Sequence, residues 1–130
     1  MSITAFPKFH DAADPHSFII SYNGVTVGVF TDIGVLGDHL ISHFKMCNAA
    51  FLEATYDEEM LQNGNYPHFL KKRIIGGKGH LSNRQALEIF MRHWTKAMTH
   101  LLRSHLSKHN NWPELVQRLF QEQAGNVKVT

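Results

Sequence analysis

The stretch Ala49-Ala50-Phe51-Leu52-Glu53-Ala54-Thr55 decides how this chain is read. Ala49 to Ala54 is an apolar run of strand length, the pattern of a buried strand in an α/β sheet rather than an in-out alternation. It delivers Glu53 to the end of that sheet. A second stretch, Gly79-His80-Leu81-Ser82, follows a glycine-rich loop and presents His80. An acid and a histidine held at strand ends and loop mouths point to metal-assisted hydrolysis more than to packing.

Upstream, residues 17–22 and 25–31 are aromatic and β-branched runs separated only by Asn23-Gly24. That dipeptide predicts a tight hairpin, because both turn residues need positive φ. The second run ends at Asp32, with Gly34 just beyond. Residues 3–9 predict an edge strand containing Pro7 and ending at His10. Apolar positions 36, 40, 41 and 44 share one helix face, so a helix is expected there. Downstream, short helices are expected over 57–63 and 69–75. A longer one should run over about 84–93, with Ser82 or Asn83 as its cap. Residues 98–104 are ambiguous between helix and strand and are read as a buried strand delivering His105. Pro113 opens a helix reaching about Gln123, and 127–130 begins a strand.

With 130 residues the chain amounts to a single domain. The net charge of +2 gives no global field for nucleic acid, so a local basic patch must make that case. Cys47 stands alone and forms no internal disulfide, which fits a reducing, cytoplasmic setting. No apolar run approaches the roughly 18 residues of a membrane span.

Ten histidines are the compositional outlier. Taken alone, Asp32 reads more readily as a turn or capping acid than as a metal ligand, and His10 as an ordinary loop histidine. His39 and His43 share a helix face, but no acid completes a zinc motif, so both are read as surface residues. Tyr56 and Asp57 are candidate substrate contacts, but Asp57 reads more readily as a helix cap. The cations Lys71, Lys72, Arg73 and Lys78 precede the His80 loop and can neutralise phosphates. Favourable placement at a helix C-terminus explains them equally well. Trp94, Trp112 and Phe90 are read as packing residues.

Five blocks in order are more specific than their members: residues 9–15 around His10, 31–34 around Asp32, 52–61 around Glu53, 79–83 around His80, and 105–111 beginning at His105. Together they resemble the C-terminal half of the metallo-β-lactamase-fold hydrolases, in the WalJ (YycJ/VicX)-like branch related to nucleases. The resemblance implies an α/β fold amounting to half of an αββα sandwich, a mixed sheet with flanking helices, with residues 1–130 as one partial domain. It implies two divalent metal ions, Zn or Mn. His10 would ligate one, His105 the other, and Asp32 would bridge them. Glu53 and His80 resemble the acid–histidine pair that handles protons at the leaving group. Lys71, Lys72, Arg73, Lys78 and Asn83 would contact a nucleic-acid substrate, DNA by the same resemblance. The implied activity is a phosphodiesterase, specifically a DNA exonuclease, using a metal-activated water.

The chain departs from that family in lacking its upstream His-x-His-x-Asp-His block: no two of its histidines stand two residues apart. Three ligands shared between two ions are too few. The chain is therefore expected to be a fragment whose tight metal binding and catalysis depend on completion by a missing segment, a partner chain or self-association. The alternatives are another ester hydrolase of the same fold, or a non-catalytic α/β domain that acts through partner-chain association.

Overall fold

The computed structural model describes residues 1–8, 16–34, 37–75 and 79–130. Six strands form one mixed sheet in chain order: β1 (Ser2–Pro7), β2 (His16–Tyr22), β3 (Val25–Phe30), β4 (Ala49–Glu53), β5 (His100–Ser104) and β6 (Lys128–Val129). The first three strands pair antiparallel, and the pairs β3–β4, β4–β5 and β5–β6 are parallel. A parallel step needs a long return connection, and helices supply it. These are α1 (Asp38–Lys45), then α2 (Glu58–Asn63), α3 (His68–Ile75) and α4 (Asn83–His93), and finally α5 (Pro113–Gln121).

Local chemistry places these elements. Asn23 (φ 48°) and Gly24 (φ 78°) turn β2 into β3, so Tyr22 faces Val25 as the Asn-Gly pair predicts. Pro7 sits on β1, an edge strand. Ser82 caps α4: its hydroxyl accepts from the Gln85 amide, and the Gln85 side chain accepts from the Ser82 amide. Asp57 accepts from the amide of Met60 and so caps α2. Residues 100–104 form the strand expected there, beginning two residues later than the sequence reading placed it.

Parallel and antiparallel register aligns Phe30, Leu52, Ala50 and Leu101 on one side of the sheet. There they join Leu40 and Phe44 of α1, Ile89 and Phe90 of α4, and Val116 and Phe120 of α5 in a single core. Gly28 lies under this layer; a Cβ there would stand 2.2 Å from the Phe30 ring and 2.7 Å from the Cys47 sulfur. Cys47 is buried, and burial pushes its thiol up to about 12. His43, read from sequence as a surface residue, is half-buried and stacks on Phe6 at 4.1 Å, whereas His39 is exposed and offers only its carbonyl to His43 Nδ1.

Among the described residues, the opposite side of the sheet carries no such cover. Phe18 pairs with Val29, Val29 with Phe51, and Phe51 with Leu102, giving an apolar row across four strands. Phe18 and Phe51 are 43% and 38% exposed. The sequence alternation on β2 and β3 thus builds a sheet with one buried and one open apolar face. Among the described residues no helix is long and apolar enough to cross a membrane.

Candidate metal-dependent active site

Four groups converge where β3, β4 and β5 end. Ligand atoms of Asp32, Glu53, His80 and His105 all lie within 4.8 Å of one another. Parallel pairing of β4 with β5 explains part of this, since Glu53 stands opposite Ser104, the residue before His105. The chain then leaves the sheet in a left-handed backbone conformation at both Asp32 (φ 55°) and His105 (φ 59°). Such φ values are uncommon outside glycine, and are least costly for Asn, Asp and His.

His80 reaches the cluster from a different direction. The Thr55 amide donates to the Leu81 carbonyl at 3.0 Å, the Ser107 amide donates to the Thr55 carbonyl at 2.7 Å, and Tyr56 bridges Ser82. Residues 54–56 therefore prolong β4 between the loop bearing His80 and the loop bearing His105. At the start of the His80 loop, the His80 amide donates to the Ile74 carbonyl at 3.3 Å. Gly79 is required by that close approach: a Cβ would stand 2.4 Å from the Ile74 oxygen and 2.6 Å from that of Arg73. Both obstacles are backbone, so they cannot rotate away. Gly79→Ala is expected to lift His80 off Glu53 and to cost about 1–3 kcal/mol of stability through the clash with backbone. A urea melt alongside the NMR shifts of the His80 ring checks it, and unchanged values refute the positioning role of Gly79.

Glu53 is fully buried and is the hub of the cluster. Its Oε2 accepts from the Ile33 amide at 2.7 Å, tying the Asp32 turn to β4. Its Oε1 accepts from the Thr55 hydroxyl at 2.5 Å and from His80 Nδ1 at 2.5 Å, and lies 3.5 Å from His105 Nδ1. Burial pushes the Glu53 carboxyl up, but the hydrogen bonds from His105, His80, Thr55 and Ile33 outweigh it and bring it down to about 2. An ionised carboxylate only accepts, so His80 carries its proton on Nδ1 in this contact. The hydrogen bond to Glu53 raises His105 above the ordinary histidine range, against its partial burial.

His105 is oriented by the same hub. Its Nδ1 faces Glu53 and, at 3.4 Å, the Thr55 hydroxyl; its Nε2 faces Asp32 Oδ1 at 3.5 Å. Two ligand atoms of one tetrahedral zinc stand about 3.4 Å apart, given metal–ligand distances near 2.1 Å. The Asp32–His105 separation matches that edge, and a carboxylate behind the far ring nitrogen is the usual backing of a metal-bound histidine. The donor set therefore fits a divalent metal ion. His80 Nδ1 lies 3.8 Å from Asp32 Oδ1 and is held more tightly by Glu53.

Of the residues singled out in the sequence, Asp32, Glu53, His80 and His105 come together here. His10 and Lys78 lie outside the described residues. Asn83, expected to touch substrate, is instead buried. Its amide is committed to Asn111 through reciprocal bonds of 2.8 and 2.7 Å, and Asn111 also donates to the Ala54 carbonyl. Lys71 donates to the Gln62 and Gly64 carbonyls and closes the end of α2, while Lys72 and Arg73 are exposed. Two site residues escaped the sequence reading. Thr55 buttresses both Glu53 and His105. Lys8 donates to the Thr31 carbonyl at 2.5 Å, close enough to Asp32 and Glu53 that both oppose the lowering of its pKa by burial. A signal existed for Thr55, two residues from Glu53 beyond a strand end; none existed for Lys8.

No protein-family model matches the chain. It is 32% identical over 117 residues to exodeoxyribonuclease YycJ of Bacillus anthracis, covering 90% of this chain and 44% of that protein. It is 31% identical over 115 residues to exodeoxyribonuclease WalJ of Streptococcus pneumoniae, covering 88% and 43%. The chain thus spans less than half the length of these relatives. Among solved structures, the metallo-β-lactamase fold protein YhfI of Bacillus subtilis superposes with a TM-score of 0.64 at 15% identity, over 98% of this chain and 46% of that one. A diphosphatase of the PhnP family superposes at 0.57 and 14% identity, over 98% and 40%. The mixed sheet with flanking helices and these superpositions agree: the chain has the metallo-β-lactamase fold, and in sequence it is similar to part of the YycJ and WalJ proteins.

Proposed function

We propose that this chain is one half of a metal-dependent phosphodiesterase domain, the C-terminal half of an αββα sandwich, and that the completed domain degrades DNA from an end. The observation that carries this reading is the meeting of Asp32, Glu53, His80 and His105 within 4.8 Å at the strand ends. Asp32 and His105 would hold divalent metal, with His10 as a further donor. A bound ion of this kind lowers the pKa of water and neutralises charge on a phosphoryl group. Glu53 fixes the tautomer of His80 and holds its ring toward the cluster, so His80 serves as the proton-handling group for a departing oxygen. Thr55 and the Ile33 amide keep the Glu53 carboxylate ionised and oriented. Lys71, Lys72 and Arg73 supply positive charge on the approach to His80.

The open apolar row Phe18-Val29-Phe51-Leu102 favours a second element of the reading. An exposed patch of this kind marks an association surface, and we assign it to the rest of the sandwich, whether supplied in the same polypeptide or by another chain. If the site is not a metal site, this face makes the chain an interaction module instead.

Purified together with the remainder of the sandwich, without chelator or histidine tag, the protein should contain zinc or manganese in stoichiometric amount by plasma mass spectrometry. Supplied with the remainder of the sandwich, it should shorten end-labelled DNA stepwise in the presence of manganese. Metal-loaded protein that leaves DNA intact would overturn the nuclease assignment. Absence of metal above background would favour the interaction module.

A further inference from the structure

Among the described residues, α3 is the helix that buries none of its side chains, and it runs directly into the loop bearing His80. Its half-buried positions, Leu70, Lys71 and Ile74, face the protein, and the Lys71 amine is spent on the end of α2. Phe69, Lys72 and Arg73 fall on the other side at spacings of three and four, so they share one outward face. Phe69 is 73% exposed. The helix contains no acid. A solvated helix face accounts for the cations but not for a large aromatic ring placed beside them, and the core does not account for it either. The face ends close to the site, because the Ile74 carbonyl accepts from the His80 amide.

We infer that this face of α3 grips single-stranded DNA, with Phe69 stacking on an unpaired base and Lys72 and Arg73 meeting the flanking phosphates. The inference rests on the nuclease reading above and adds the form of the substrate. An aromatic platform beside paired cations is how proteins hold an unpaired strand without reading its sequence. A polyanion also matches the charge of the helix, whereas an apolar partner segment would leave both cations against it.

The test is fluorescence anisotropy with a short labelled single strand and a blunt hairpin duplex, in chelator, so that nothing is cleaved. Phe69→Ala should weaken single-strand binding by about tenfold while leaving hairpin affinity nearly unchanged, and Phe69→Trp should restore it. Lys72→Ala and Arg73→Ala should weaken both substrates and each reduce the slope of affinity against salt. The proposal is overturned if the unaltered protein does not bind the single strand, or if Phe69→Ala binds it as well. It is also overturned if Phe69→Ala instead dissociates a self-associated form, seen by light scattering. Manganese-dependent cleavage, assayed separately with the sandwich completed, distinguishes the two readings. Cleavage indifferent to Phe69 sinks only the role of α3, and Phe69-dependent binding without cleavage sinks only the hydrolase.

Discussion

Asp32→Asn should abolish divalent-metal binding while leaving the fold intact. Asp32 supplies the carboxylate that faces His105 Nε2 at 3.5 Å, and an amide in its place has neither the charge nor the basicity to hold a hard or borderline cation. Losing a group that merely orients a ligand costs about 10- to 100-fold in metal affinity; losing the ligand should exceed that. Asparagine is the informative replacement because the backbone here has φ 55°, a region Asn tolerates and alanine does not. Asp32→Ala would add roughly 1 kcal/mol of backbone strain to the lost donor and blur the result. Calorimetric titration with zinc and with manganese, beside a urea melt of the metal-free protein, separates the two effects. Full metal affinity in Asp32→Asn would show that the ion is held elsewhere.

Glu53→Ala is expected to cost about 3 kcal/mol of stability even without metal. Removing one partner of a buried charged network leaves the others desolvated and unpaired. Here the Ile33 amide and His80 Nδ1 lose the Glu53 acceptor, while the Thr55 hydroxyl and His105 Nδ1 keep each other at 3.4 Å. Glu53→Gln keeps an oxygen for the Ile33 amide but turns an amide group toward a donor, so it should lose less than alanine and still release His80. Urea midpoints for both variants check the order. An alanine variant within about 0.5 kcal/mol of the unaltered protein, the range of ordinary surface changes, would mean that the network does not hold the strand ends together.

The two predictions show how unevenly the site could be read from sequence. Asp32, Glu53 and His105 each end or follow an apolar run and His80 follows a glycine-rich loop, and those signals survive without coordinates. Their roles do not. Nothing in the spacing of Asn83 distinguishes a substrate contact from a buried amide paired with Asn111, because the pairing joins residues 28 apart. The same holds for Lys71, whose amine is used up by carbonyls of the preceding helix, and for Lys8, brought to the cluster from β1. Phe69 reads as one more apolar residue of a short helix until its exposure is known.

The sequence alone determined what local chemistry can determine. The Asn23-Gly24 turn, a helix capped at Ser82 or Asn83, the Pro113 helix start and the strand carrying Glu53 are set by backbone preferences and periodicity over a few residues, and these elements formed with bounds within two positions of the reading, Ser82 being the cap. The order of the site blocks also carried the family. Only the tertiary structure decided which side of the sheet is covered, that residues 54–56 prolong β4 between two loops, and that Glu53 is the buried hub on which His80, His105, Thr55 and Ile33 converge. Those outcomes depend on register between strands far apart in the chain, and register is fixed by the packing of whole faces, which no short stretch of sequence contains.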